Sequence, residues 1–221
     1  MTFPNAYNGI TKVFVAQILQ IIGEACMIFG IGSGSLILFS QTTGGAITYG
    51  VLTMVFIAAG FVLPLIALII NLIGLHTGGK DDDSIQSAFV LSVFVLIIEA
   101  VSVILSIIFR SSQTISGNVS DVISNICEVI VMILVINGVC SLAEKLGKDK
   151  IIDSGRHIMT MVIIMYAISI LSRLIMLLFG RSGAGNVIAF ILQIAAGVFS
   201  IICYILYLVF LGKGKNMLRD N

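Results

Sequence analysis

The sequence predicts an all-α fold, a polytopic transmembrane bundle of about six helices with its N- and C-termini cytoplasmic. Three observations carry that expectation. Of 221 residues, 58% are hydrophobic and 10% charged, against roughly 25% charged in a soluble domain; the mean hydropathy is +1.15. Six apolar runs follow one another, each long enough to cross a ~30 Å hydrocarbon core as a helix. Basic residues fall mostly in alternate breaks between them. A chain this poor in charge cannot coat a water-facing surface, so a bilayer is its solvent. No run alternates with period two, which argues against a β-barrel. The whole chain, 1–221, reads as a single integral membrane domain.

The first run, Lys12–Leu38, is too long for the apolar stretch of a signal peptide and contains Gln17, Gln20 and Glu24. It reads as a retained helix. Those three polar residues share one face at i, i+3 and i+7. Gly23, Gly30 and Gly34 form a small face, with Gly30 and Gly34 in close-packing spacing.

The second run, Ile47–Leu75, contains Pro64. Proline has no N–H, so the carbonyl of Gly60 loses its usual donor. The third, Gln86–Phe109, follows Asp81, Asp82, Asp83 and Ser84, side chains suited to accept from the free N–H groups of a helix start. A cytoplasmic cation site is the other use such aspartates could have. Ser92, Glu99, Ser102 and Ser106 share a face of this helix.

Ser120 and Asp121 offer the same start chemistry for the fourth run, Asp121–Leu142. The fifth is His157–Phe179, with Tyr166, Ser169 and Arg173 on one face. The sixth is Val187–Leu211, where Gln193, Ser200, Tyr204 and Tyr207 form a polar stripe.

Nine basic residues flank the ends that share a side with the termini: Lys12, Lys80, Lys145, Lys148, Lys150, Arg156, Lys213, Lys215 and Arg219. The opposite breaks hold two, Arg110 and Arg181. That asymmetry is a positive-inside signal and places both termini in the cytoplasm. Gly79-Lys80-Asp81 and Gly147-Lys148-Asp149 recur in two of these breaks, as a tandem duplication of one hairpin would leave them.

Four ionisable groups fall within the runs: Glu24, Glu99, Glu128 and Arg173. Each costs at least ~2.5–3.5 kcal/mol in hydrocarbon, so each should face protein or water. Depth at ~1.5 Å per residue sorts them into two levels. Glu128, Arg173 and Gln193 lie about 10 Å below the outer surface on consecutive helices, which predicts a buried Glu128–Arg173 pair braced by Gln193, a brace or an outer gate. Glu24 and Glu99 lie near the midplane with Gln20 and the freed Gly60 carbonyl, the ingredients of a proton or small-cation site.

The net charge of +1 points to no nucleic-acid partner. Cys26, Cys127, Cys140 and Cys203 have no metal-ligand or disulfide spacing, so free thiols and no cofactor or metal are expected. No phosphate-binding loop, HExxH or GxSxG is present, which argues against an enzyme. His76 and His157 sit at helix ends as boundary residues. The segment Ser141-Leu142-Ala143-Glu144-Lys145-Leu146-Gly147, between two apolar helices, resembles a group of small prokaryotic multi-pass membrane proteins of unassigned activity. The resemblance implies a prokaryotic plasma membrane and carries no site residues. The leading expectation is a small secondary transporter or channel-like protein for a proton, cation or small polar solute. The competing one is a non-transporting accessory, assembly or regulatory subunit. Expected partners are the lipid bilayer and either further copies of the chain or other membrane subunits.

Overall fold

The structure is a computed structural model describing residues 2–37, 43–108, 113–179 and 183–220, with the side chains of 34–37, 43–47, 105–108, 113–122, 125, 169, 172–179, 183–190, 192 and 193 outside that description. Among the described residues there are six helices and no strand: α1 Pro4–Ile37, α2 Thr43–Gly78, α3 Asp83–Ile108, α4 Gln113–Lys145, α5 Asp149–Phe179 and α6 Gly183–Arg219. All six are long and apolar enough to cross a membrane. Their outward surface is the reverse of a soluble protein's: Met54 is 75% exposed and Ile28 70%. In a bilayer that surface meets acyl chains, and the chain is accordingly an integral membrane protein.

The helices run to 26–37 residues, or roughly 39–55 Å at ~1.5 Å per residue, and so outreach the hydrocarbon core. Relative to the apolar runs, α1 and α5 each begin eight residues earlier and α6 ends eight residues later. Hydropathy marks the lipid-embedded part of a helix, whereas these extensions are held by protein contacts. Ala6 and Ile10 on α1 and Met217 and Leu218 on α6 are buried in the core. The fourth helix also differs, starting at Gln113 rather than at Ser120-Asp121.

Three antiparallel hairpins, α1–α2, α3–α4 and α5–α6, are joined by turns of four and three residues on the side that holds both termini. Beyond the hairpin pairs, α2 packs on α3, α4 on α5 and α6 on α1, and α4 also touches α6. The six helices therefore close into a ring, with none touching the helix opposite among the described residues.

The packed core lies at the terminal end of that ring. Ile10, Leu75, Ile85, Ile136, Leu142, Phe210 and Leu211 are fully buried there, drawn from five of the helices, and Val162 adds α5. Polar groups fasten the same end. Asp82 caps α3, its Oδ1 accepting from the backbone N–H of Ser84 (2.9 Å) and Ile85 (3.4 Å). Its Oδ2 lies 3.8 Å from the Lys145 ammonium. Asp81 instead reaches across to the start of α1, accepting from the Ala6 N–H at 2.8 Å and the Asn5 amide at 3.0 Å. The aspartates thus act as helix-start acceptors for two helices, and the described residues hold no cluster of three acidic, histidine or cysteine groups able to hold a metal. Replacing Asp82 by alanine is expected to lower stability by about 1–2 kcal/mol through loss of the cap. The exposed Asp83 makes a control that should change it by less than about 0.5 kcal/mol; thermal unfolding in detergent reads both.

The repeated Gly-Lys-Asp triplets are built differently. Gly147 has φ +65° and closes α4, with the Lys148 N–H on the Ala143 carbonyl and the Gly147 N–H on the Glu144 carbonyl, the left-handed glycine cap of a helix C-terminus. Gly79 has no such conformation and packs against Gln86.

The closest helix pair is α1–α2, and glycine is the reason. A methyl group on Gly9 would meet the Gly78 nitrogen at 2.5 Å and the Gly74 carbonyl at 2.6 Å, so the two backbones touch there. Higher up, Gly23 receives the Pro64 ring, Gly60 receives Met27, and Gly30 receives Ile57. The small face of α1 is therefore filled by α2 of the same chain. Gly34 lies outside the described side chains.

Candidate functional site: a carboxylate-lined cavity

Above the packed end, the ring encloses a cavity of about 860 Å³ to which all six helices contribute. Val135, Val162 and Tyr207 belong both to the core and to the cavity wall, and so form its floor. Many of the polar residues that sequence periodicity grouped into stripes line this space; Ser102 does not, and the side chains of Ser106, Ser169, Arg173 and Gln193 lie outside the described ones. Gln17, Gln20 and Glu24 enter from α1, Ser92 and Glu99 from α3, Tyr166 from α5, and Ser200, Tyr204 and Tyr207 from α6.

Three carboxylates line the one cavity: Glu24, Glu99 and Glu128. All three are exposed rather than packed away. Glu24 and Glu99 both lie within electrostatic range of Glu128, and Glu24 is within range of the Tyr204 hydroxyl. Gln20 donates to Glu24 Oε1 at 3.3 Å, one helical turn away. No lysine, arginine or histidine appears among the described lining residues, so the described part of the wall is negatively charged when its carboxyls are ionised.

The carboxylates expected at two levels line one and the same cavity. Glu128 shares the cavity with Glu24 and Glu99, and α4, which carries it, begins at Gln113. The partners expected for Glu128 are the side chains of Arg173 and Gln193, and both lie outside the described residues. Gly60 and Pro64 do line the cavity, beside Gln20 and Glu24.

The Gln17–Tyr204 contact and the part played by Asn71 escaped sequence reading. Gln17 is tied to α6: the Tyr204 hydroxyl lies 2.6 Å from Gln17 Oε1 and 3.1 Å from its backbone carbonyl, donating to that pair of acceptors. This is a polar clasp between the first and last helices just above the cavity floor. Asn71 also lines the cavity, and its buried Oδ1 accepts no hydrogen bond among the described residues. Its signal was available as a lone amide within the apolar stretch Leu65–Leu75, whereas the Gln17–Tyr204 pairing depends on how the ring closes. The four cysteines are free, and Cys203 lines the cavity. His76 packs its ring against Phe89 with centroids 5.1 Å apart, outside the cavity.

No protein-family model, curated protein or solved structure matches the chain.

Proposed function

We propose that the chain is a small carrier or channel-like protein of the plasma membrane that moves a positively charged solute through its central cavity. One observation carries this reading: three carboxylates from three different helices line one cavity that has no basic side chain among its described lining residues. An ionisable group inside a membrane protein costs free energy that purely structural packing does not require, and it marks a solute path when it faces a cavity. Glu24, Glu99 and Glu128 are the charge-bearing groups, and Gln17, Gln20, Tyr166 and Tyr204 are neutral hydrogen-bonding groups beside them.

The terminal end faces the cytoplasm in this reading, because it carries the nine basic flanking residues that the positive-inside bias places there. The packed core then seals the cytoplasmic end and the cavity lies outward of it. No nucleotide-binding loop is present in the sequence, so the driving force in this reading is an ion gradient, the solute's own gradient or a partner. The glycine face of α1, which would have suited docking to another subunit, is occupied by α2.

Reconstitution into proteoliposomes tests the proposal. Flux of protons, alkali cations, divalent cations or organic amines should appear with the wild type and fall in Glu24→Gln and Glu99→Gln. Absence of flux for every cation class in correctly folded protein would refute it.

A further inference from the structure

We infer that the solute is an amphipathic organic cation, an amine or onium group on an apolar body, rather than a bare metal or alkali ion; this rests on the transport reading above. The first argument is size. A cavity of about 860 Å³ falls in the ~300–1,000 Å³ range of pockets that enclose a drug-sized organic molecule, far more than an ion needs.

The second is the spacing of the charges. A divalent cation needs oxygen ligands converging at ~2.3–2.6 Å, and the described residues bring no three acidic, histidine or cysteine side chains into such a group. The carboxylates are instead spread over the cavity wall on α1, α3 and α4. A delocalised or bulky cation makes use of dispersed negative charge, because it approaches no ligand closely.

The third is the wall between them. Ile21, Leu68, Leu96, Met132 and Met165 line the same space, and flexible methionines adapt to varied apolar shapes. Tyr166 and Tyr204 line this space as well, and an aromatic ring attracts a cation through its quadrupole. Asn71, whose buried oxygen has no partner among the described residues, adds an amide to the wall.

The fourth is the route in. Phe61 and Leu65 line the cavity yet are each 61% exposed, and Ile201 is 63% exposed. The rim is apolar and continuous with the lipid-facing surface. An amphipathic cation already partitioned into the bilayer meets that rim first, whereas a hydrated metal ion is repelled by it.

The test uses the full chain in nanodiscs, with radiolabelled tetraphenylphosphonium as the probe and empty nanodiscs as the background. Saturable binding should be seen with the wild type and persist in excess sodium, potassium or calcium chloride. It should weaken by at least about tenfold in Glu24→Gln and in Glu99→Gln, with melting temperatures confirming that both variants fold. Tyr166→Leu should also weaken it, and by more than Tyr166→Phe, which keeps the aromatic ring. Binding no greater than to empty nanodiscs, or saturable binding indifferent to both glutamate substitutions, would overturn the inference. If proteoliposomes conduct an inorganic cation while tetraphenylphosphonium does not bind, the transport reading stands and the organic-cation inference falls. If neither flux nor binding is found, both fall.

Discussion

Replacing Gly9 by leucine is expected to destabilise the bundle by about 3 kcal/mol or more, the upper range for forced overpacking. The reason is what surrounds this glycine. An added Cβ would meet the backbone nitrogen of Gly78 at 2.5 Å and the Gly74 carbonyl at 2.6 Å, and backbone atoms cannot step aside as a side chain can. Relief would require α1 and α2 to separate along the hairpin that is their main contact. Nor is the damage confined to one pair, because Ile10 and Leu75 in the same stretch belong to the common core. Gly60 is a milder case, since a Cβ there meets the flexible Met27 side chain as well as its backbone nitrogen. Gly32 and Gly197 have nothing within 4 Å and serve as controls. Alanine at either should leave stability unchanged or raise it by up to about 1 kcal/mol, through helix propensity. Thermal unfolding followed by circular dichroism in detergent separates these cases. Equal melting temperatures for Gly9→Leu and Gly197→Leu would refute the close α1–α2 contact.

Exchange of Glu99 for glutamine is expected to reduce cation flux by more than an order of magnitude while leaving the fold intact. Glutamine keeps the size and hydrogen-bonding reach of glutamate and removes only the charge. A carboxylate ~8 Å from a bound cation contributes about 2 kcal/mol at an effective dielectric of ~20, which is roughly thirtyfold in affinity. Glu24 and Glu128 line the same cavity, so the cation retains some attraction and the loss should be large rather than complete. Glu24→Gln should act similarly, and the double variant should be near background. Because the Glu99 side chain is exposed, its neutralisation should shift the melting temperature little. A Glu99→Gln protein with wild-type flux and wild-type melting would remove this carboxylate from the path.

The number and order of the helices were legible because lipid imposes the same demand on every span, about twenty apolar residues with their backbone groups paired internally. The true ends were not, because Ala6, Ile10, Met217 and Leu218 lie in extensions held by neighbouring helices rather than by lipid. The start of α4 was missed likewise, lying eight residues nearer the N-terminus than Asp121.

Helical periodicity marked the cavity-facing stripes correctly in kind: Gln17, Gln20 and Glu24, then Ser92 and Glu99, then Ser200, Tyr204 and Tyr207 all line one space. That they meet depends on the ring order of the helices, and loop length and charge do not encode that. The glycine seam was half legible. Gly23 and Gly30 stood out, but Gly9, Gly74 and Gly78, which make the tightest contact, fall at a helix end where glycine ordinarily signals termination.

The account stands on a cavity that water or a cation can enter, and solvent access tests this without requiring the right solute to be chosen. With Cys26, Cys127, Cys140 and Cys203 replaced by alanine or serine, single cysteines at Ser92 and Ser200 lie on the cavity wall. Cysteines at Phe94 and Val198 lie on the same helices at exposed positions outside the lining. A positively charged, water-soluble methanethiosulfonate reagent applied to proteoliposomes should modify the first pair far faster than the second, and tetraphenylphosphonium should slow it. Ser92→Cys and Ser200→Cys as inert as the two lipid-facing controls would mean a closed, dry bundle and would contradict the proposed cation path.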